Sequence, residues 1–360
     1  MQKATDIALN PSVSAQQNTL PARTFVSIAM PVLNEEAFIR AAIESILPDP
    51  RCLDYEILVL DGGSTDNTTK IVREMARTNP RIKLHKNKDR IQSAALNLAA
   101  KLADPSGRII IRADCHAVYP ERFAEICLAK LEEAGVQSVV VTMDTTGETC
   151  FQRGVAAAQN SFLGNGGAPH RCRTTSGFVD HGHHAAFDRA FFQSVGGYDE
   201  RIATNEDFDL DTRIARAGGR IWLESSIPVR YFPRNTFGGL VRQYLGYGKG
   251  RAFTYLRHRY RLKLRQLAPV AVVGALSVAA LLALFVDERF AAVPVAYAAA
   301  CLGWGLVRAM MLRDRCVAFM GVAAMVMHNA WGIGFLDEFL RSLLGPTQAS
   351  RSFASQQVRD

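Results

Sequence analysis

No C-x-x-C pair occurs among the seven cysteines of this chain, which stand at positions 52, 115, 127, 150, 172, 301 and 316. Their odd number and scatter argue against a disulfide framework or a zinc knuckle. Reduced thiols in a cytosolic domain are the expectation. The first 24 residues lack an apolar core and carry Gln16-Gln17 and two prolines, which speaks against a signal peptide and predicts a disordered tail. Internal repeats and extended low-complexity segments are also missing. Charge is scarce at the other end. Up to about Gln266 apolar and charged segments alternate, whereas from Leu267 onward long stretches hold almost none, so the C-terminal quarter reads as membrane material.

Three segments there qualify as spans: Leu267 to Val286, Phe290 to Leu312 and Cys316 to Leu336. The first has no charged residue in the roughly 20 needed to cross a bilayer. The second holds Pro294 and, near its end, Arg308, which can snorkel to the interface. The third contains His328 and Asn329, which leaves three readings open: a span, a re-entrant segment or an interfacial helix. The basic run Arg257-His-Arg-Tyr-Arg-Leu-Lys-Leu-Arg265 and the link Arg313-Asp-Arg315 belong on the cytoplasmic side, and the link Asp287-Glu-Arg289 then lies outside. A membrane protein with several spans and a cytoplasmic N-terminal part follows, and three spans put the C-terminus outside. The net charge of +8 owes much to the juxtamembrane cluster, which suits anionic membrane lipids. Nucleic-acid binding is not needed to explain it.

The 360 residues suffice for one large or two ordinary domains. Val26 to Val32 reads as a buried strand, Glu35 to Leu47 as a helix ended by Pro48, and Glu56 to Leu60 as the next strand. Ser64-Thr-Asp66 caps a helix through Met75. A strand over Ile82 to His85, a helix from Gln92 to Ala103, a strand over Arg108 to Arg112, a helix from Pro120 to Ala134 and a strand over Ser138 to Met143 follow. This β-α-β alternation predicts an α/β fold with a mainly parallel sheet and helices on both faces. After Thr149 the rhythm changes: Gly164-Asn-Gly-Gly167 reads as a loop, Phe178 to Phe187 as an irregular strand region, and Glu206 to about Ala217 as a helix with acidic residues in its first turn.

Chemistry gathers at the strand ends. Phe25 to Val32 runs out into Asn34-Glu-Glu36, and Tyr55 to Leu60 into Asp61-Gly-Gly-Ser-Thr-Asp66. One Asp-Gly turn alone is more often a plain surface turn. Two such ends in an open sheet can line one crevice, where a nucleotide binds. The strand ending at Ile111 leads to Arg112-Ala-Asp-Cys-His116, where Asp114 and His116 could both reach a divalent metal or a diphosphate. Carboxylate oxygen suits magnesium or manganese, and imidazole tilts the choice to manganese. Asn205-Glu-Asp207 supplies a second acidic cluster, with Asp207 the candidate general base for an alcohol and a helix cap the plainer alternative. His181-Gly-His-His184, with His170 upstream, tempts a metal reading, although such clusters are more often polar surface. Pro233-Arg234 and Arg242-Gln-Tyr-Leu-Gly-Tyr-Gly-Lys-Gly-Arg251 stand just before the membrane segments, fit either to meet phosphates or to lie as an interfacial amphipathic helix.

Taken together, Pro31-Val-Leu-Asn-Glu35, Asp61 to Asp66, Asp114-Cys-His116 and Asn205-Glu-Asp207 resemble, in order and spacing, the four signatures of the family 2 glycosyltransferases. These have the GT-A fold, a Rossmann-like mixed sheet. The Arg112 to His116 and Arg242 to Arg251 stretches are similar to those of the membrane-anchored ExoA-type succinoglycan glucosyltransferases. The resemblance covers a GT-A domain over roughly 25–255, on either side of which the chain reads as a disordered tail over 1–24, a juxtamembrane segment with two to three membrane helices over 256–345 and a flexible tail over 346–360. It also implies an inverting transfer from a UDP-sugar, held by Pro31, Asn34, Glu35, Asp61, Ser64, Asp66 and Asp114. Asp114 and His116 would hold Mn2+ or Mg2+, and Asp207 would take the acceptor proton. Glu206, Arg234, Gln243 and Arg251 would meet the acceptor or diphosphate. His116 replaces the usual second Asp of the D-x-D pattern. The Gln-x-x-Arg-Trp motif of processive synthases is missing, since Gln243 is followed by Tyr-Leu-Gly-Tyr, so one sugar per encounter is expected. The expected acceptor is a polyprenyl-diphosphate-linked glycan in exopolysaccharide biosynthesis. The alternatives are another lipid acceptor, such as a glycolipid or polyprenyl phosphate, or an inactive nucleotide- or glycan-binding module.

Overall fold

The computed structural model describes residues 24–168, 171, 175–202 and 204–344. The tails expected over 1–24 and 346–360 fall, Thr24 apart, outside these residues, as do His170 and Cys172. Along the chain run β1 (Phe25–Val32), α1 (Ile39–Ile46), β2 (Asp54–Asp61), α2 (Thr68–Thr78), β3 (Ile82–Lys86), α3 (Gln92–Leu102), β4 (Ile109–Arg112), β5 (Ala117–Val118), α4 (Phe123–Glu133) and β6 (Ser138–Thr145). Next come α5 (Cys150–Gln159), α6 (Phe162–Asn165), β7 (Gly177–Val179), β8 (His183–Asp188), α7 (Arg189–Ser194), α8 (Glu206–Arg216) and β9 (Ile221–Tyr231). Four long helices close the chain: α9 (Phe237–His258), α10 (Leu264–Phe285), α11 (Ala292–Leu312) and α12 (Met320–Leu344).

The strands form one mixed sheet ordered β3-β2-β1-β4-β8-β6-β9-β5, with β7 also on β9. The first four are mutually parallel; β8 then enters antiparallel to both β4 and β6. The side-chain period of two sorts β1 onto two cores. Val26, Ile28 and Met30 meet Ile39, Ile43, Val72 and Leu128 on one face, while Ala29 meets Ala95, Leu96 and Ala99 of α3 on the other. With both faces covered, β1 and β2 are apolar almost throughout. The register pairs Val32 with Asp61 and Ala29 with Arg112, so three neighbouring strands end at one rim.

Some local expectations shift. The first helix starts at Ile39, because the N–H groups of Glu35 and Glu36 are taken by Thr68 Oγ1 (2.8 Å) and Asp66 Oδ2 (3.1 Å). The second starts at Thr68, because Ser64 and Asp66 bond across to the first strand end. The irregular region after Phe178 resolves into two strands on either side of a turn.

Cysteine is a correction. Cys150 and Cys316 form a disulfide across 166 residues of sequence, joining the start of α5 to the turn before α12. Spacing in the chain holds no record of a pair made only by the approach of two distant elements. Cys52, Cys115, Cys127 and Cys301 are free.

Three C-terminal helical segments, Leu264–Phe285, Glu288–Leu312 and Arg315–Leu344, are long and apolar enough to cross a membrane. They differ in surroundings. Protein buries 11% of the apolar stretch in each of the first two and 56% in the third. The third shares a small core with α5 and α9, made by Val155, Ala158, Leu240, Met320, Ala323 and Met327.

Candidate active site

The first two strand ends are locked together by short bonds. Asp61 accepts from the N–H groups of Gly63 (3.1 Å) and Ser64 (3.0 Å), and Gly63 takes φ +93°, which a side chain would resist. Asn34, itself at φ +55°, gives its N–H to Ser64 Oγ (2.9 Å) and accepts from Thr65 N–H (2.8 Å). Glu36 Oε2 accepts from Asn67 N–H at 2.9 Å. Ser64 and Asp66, expected to touch a nucleotide, are thus occupied in bracing this rim, while Glu35 turns toward His116, with Oε1 3.7 Å from Nδ1.

Arg112 joins the third strand end to the distant acidic cluster. Its side chain is only 4% exposed. Nη1 donates to Asp207 Oδ1 at 2.7 Å and to the Tyr198 hydroxyl at 3.2 Å, while Nε faces Asp114 Oδ1 at 3.3 Å. The Tyr198 hydroxyl in turn donates to Asp207 Oδ1 at 2.8 Å. Sequence reasoning gave Arg112 no role. Its signal was a lone cation closing the run Ile109-Ile-Ile, inside a sheet where an unpaired charge is very costly.

These contacts set the charges. Burial works against ionisation of Asp114, yet Arg112 and His183 outweigh it and hold the carboxyl well below its usual range. Burial likewise opposes the charge on Asp207, but Arg112, His184 and His183 pull it down to about 2, helped by the Tyr198 hydrogen bond. Glu206, adjacent in the chain, is pushed up to about 7 by burial and by the charge of Asp207, which outweigh the attraction of Arg112. The two adjacent carboxyls therefore separate into an ionised anchor and a group that titrates near neutrality.

Asn205 holds this pair. It takes φ +69° immediately before α8, and its amide donates to Thr254 Oγ1 (2.8 Å) and Gly250 O (3.4 Å) of α9. Thr204 Oγ1 donates to Gly246 O at 2.8 Å. Gln243 donates to the hydroxyls of Tyr231 (3.1 Å) and Tyr247 (3.0 Å), and the Tyr231 ring lies against His116 at 5.9 Å. The Arg251 guanidinium covers Phe208 at 4.0 Å, beside Asp207. Burial works against protonation of His116 and the exposed Arg234 adds to that, but Glu35 and Asp114 outweigh both and raise its pKa. Pro31 is on β1 and paired with Leu60, behind the rim.

The histidine cluster divides. His181 Nδ1 and His184 Nε2 lie 2.6 and 2.8 Å from the two oxygens of Asp211, and Ser138 Oγ is 2.8 Å from His184 Nδ1, so these two rings brace the sheet. His183 alone faces the crevice, its Nε2 3.4 Å from Asp114 Oδ2. Among the described residues no three His, Cys, Asp or Glu groups already converge as a metal cage. The donor types still suit a first-row divalent cation: a carboxylate oxygen turned to an imidazole, with the His116 ring two residues along.

Known proteins are similar to this chain in sequence and in fold. A sequence model of glycosyl transferase family 2 matches residues 27–196. The succinoglycan biosynthesis protein ExoA of Rhizobium meliloti (strain 1021) is 43% identical over 314 residues, 87% of this chain and 94% of that one. A Methanococcus voltae dolichyl N-acetyl-alpha-D-glucosaminyl phosphate 3-beta-D-2,3-diacetamido-2,3-dideoxy-beta-D-glucuronosyltransferase is 25% identical over 237 residues, 62% of this chain and 72% of its own length. The mannosyltransferase PcManGT from Pyrobaculum calidifontis, solved with GDP-Man and Mn2+, superposes with a TM-score of 0.59 at 20% identity over 88% of each chain, which shows a shared fold.

Proposed function

The chain belongs to glycosyl transferase family 2, a GT-A glycosyltransferase of the ExoA type, and from that premise we propose that it moves one sugar per encounter from a UDP-sugar to a polyprenyl-diphosphate-linked glycan. Its ExoA relative is named for succinoglycan biosynthesis, and an exopolysaccharide of that class is the product we assign. The apolar helices attached to the catalytic sheet favour an acceptor carried in the membrane. A cytoplasmic catalytic face on a bacterial inner membrane accords with the basic juxtamembrane run.

The observation that carries the reading is Arg112, which binds Asp114 and Asp207 with one guanidinium. In this reading it ties a donor-side carboxylate to an acceptor-side one. In this reading Asn34, Glu35 and Asp61 hold the nucleoside, with Pro31 behind them and Ser64 and Asp66 keeping their loop in shape. Asp114, His116 and His183 would hold Mn2+ or Mg2+, whose charge offsets that of the leaving diphosphate. Arg234 stands on the diphosphate side near His116. Gln243 and Arg251 line the acceptor side, with Arg251 stacked on Phe208 next to the acidic pair.

Asp207 is positioned through one oxygen by Arg112 and Tyr198. Its other oxygen takes the proton of the acceptor hydroxyl as that oxygen attacks the anomeric carbon, with inversion. A second reading gives the proton to Glu206, because it lacks those two donors and titrates close to neutrality.

The test is UDP release by the full-length protein in detergent with a panel of UDP-sugars, with Mn2+ and then with chelator, beside Asp207→Asn. Release with one sugar, dependent on metal and reduced about 100- to 10,000-fold in the variant, is the expected result. Full activity in Asp207→Asn moves the base role to Glu206, and release unchanged by chelator removes the metal.

A further inference from the structure

Helix α9 turns one stripe of side chains to the crevice. Gln243, Tyr247 and Arg251 recur every fourth residue, which puts them on a single helix face about 12 Å long. Gly246 and Gly250 beside the stripe fix its orientation, because a Cβ at Gly250 would collide with Thr204 O and one at Gly246 would come within 3.3 Å of Thr204 Cγ2. Contacts mark the two ends. Gln243 is tied to Tyr231, whose ring meets His116 at 5.9 Å, and Arg251 covers Phe208, the residue after Asp207, at 4.0 Å. The wall therefore runs from His116 to the acidic turn.

Several polar groups of this wall have no partner among the described residues. The Gln243 amide donates to the hydroxyls of both Tyr231 (3.1 Å) and Tyr247 (3.0 Å), while its Oε1 accepts from nothing. Each tyrosine oxygen is an acceptor in that pairing, which leaves its own proton to be given elsewhere. Arg251 Nη1 is also unpaired. Between these groups the Tyr247 residue is 37% exposed. Polar atoms left unpaired under a surface are destabilising, and the set here contains an acceptor as well as donors. A phosphate only accepts, a cation only donates and an acyl chain does neither. A hydroxyl does both. A ring with hydroxyls on its edge and C–H groups on its face also suits an aromatic side chain beneath it. The carboxyls of Glu206 and Asp207 further disfavour an anion at that end.

We propose that Tyr231, Gln243, Tyr247 and Arg251 form a subsite for one neutral sugar ring of the acceptor, with the C–H face of the ring on Tyr247 and its hydroxyls bonded to the two tyrosines, Gln243 Oε1 and Arg251 Nη1. Gln243 Oε1 lies just under the surface, and the broad last torsion of the amide turns it to a hydroxyl arriving over Tyr247. The ring belongs to the acceptor because of where the wall stands. Tyr231 ends β9, which is separated from β1 and β2 by β4, β8 and β6, so the wall is beyond His116 from the Asn34–Asp61 rim. Helix α9 also leads through residues 259–263 into the first apolar segment, Leu264–Phe285, the direction from which a membrane-borne glycan arrives. The subsite rests on the glycosyltransferase reading and adds to it what the acceptor side recognises.

The experiment holds the full-length protein in a sugar-free zwitterionic detergent and titrates it with octyl β-D-glucopyranoside, with the matching galactoside and N-acetylglucosaminide, and with octanol as the ringless control. The expected result is binding of at least one glycoside but not of octanol, weakened about tenfold or more in Tyr247→Leu. Tyr247→Phe keeps the ring and removes one hydroxyl; it should weaken binding about two- to tenfold, and it decides the matter if Tyr247→Leu does not fold. In turnover with a UDP-sugar, either variant should raise the KM for the glycoside more than the KM for the donor. Unchanged glycoside binding in the variants, octanol binding as tight as that of any glycoside, or binding of no glycoside overturns the subsite. Glycoside binding that needs Tyr247, in a protein that releases UDP from no donor, upholds the sugar subsite and overturns the transferase reading instead.

Discussion

The two acidic regions that meet at Arg112 are held by different means. The rim proposed for the donor, Asn34 to Thr68, is stitched by bonds between loops that leave two neighbouring parallel strands, so its shape follows from strand pairing and a few short side chains. The turn at Asn205–Asp207, proposed for the acceptor, does not itself leave a strand. Its shape rests on a left-handed asparagine docked to α9 and on a guanidinium from β4. The first region is locally determined and redundant. The second is a point where three distant elements must agree, and its stiffness is set by α9 and by α12 packed on it.

Changes on the two sides should therefore differ in size. The largest effect is expected from Arg112→Leu, which strands two half-buried carboxylates; up to about 3–5 kcal/mol of stability should go, together with nearly all UDP release, as read by thermal unfolding and turnover. Asn205→Ala comes next. Alanine in the left-handed region costs about 1–2 kcal/mol and loses the anchor to Thr254, so kcat should fall about tenfold or more with donor KM unchanged. Asn205→Gly, free to adopt the same φ, should recover part of it; no recovery would mean that the side-chain anchor alone matters.

A subtler contrast is in pH. Asp207, depressed to about 2, contributes stability that is present above its unfolded value near 4 and is lost as pH falls through about 2. Glu206 runs the other way: the folded state keeps its proton up to about 7, so stability declines between the ordinary glutamate value and about 7 and is flat above. Glu206→Gln should remove that decline from a plot of unfolding temperature against pH, and an unchanged slope would assign it to another group. Ser64→Ala should do least. It removes one bond of several in the donor rim, about 0.5–1.5 kcal/mol, with a small rise in donor KM by titration calorimetry or kinetics. A loss as large as that of Asn205→Ala would erase the distinction between the two sides.

Much of this was readable in the chain. The apolar runs before Asn34 and Asp61, each broken by a turn with carboxylates, mark strands that end at a crevice, because period and turn chemistry are local properties. Asp114 was marked in the same way by the apolar run Ile109 to Ile111. The helix limits near Glu35 and Ser64 were not, since the same short polar side chains that cap helices also bridge loops, and only the neighbouring strand decides which they do. The histidines at 181, 183 and 184 looked alike in sequence. Packing gave two of them to Asp211 and turned the third to Asp114.

What the sequence by itself determined was the α/β alternation, the family, the acidic positions and the presence of apolar helices, all of which depend on residue type and on spacing within a few turns of chain. The tertiary structure alone decided the rest: the bridge through Arg112, the Cys150–Cys316 bond, the separation of Glu206 from Asp207 in charge, and the seat of α12 against α9. Each of these is a contact between elements tens to hundreds of residues apart or a charge set by what lies around it. Hydropathy counts the apolar side chains of α12, but whether they meet lipid or protein depends on which surfaces the fold brings to them.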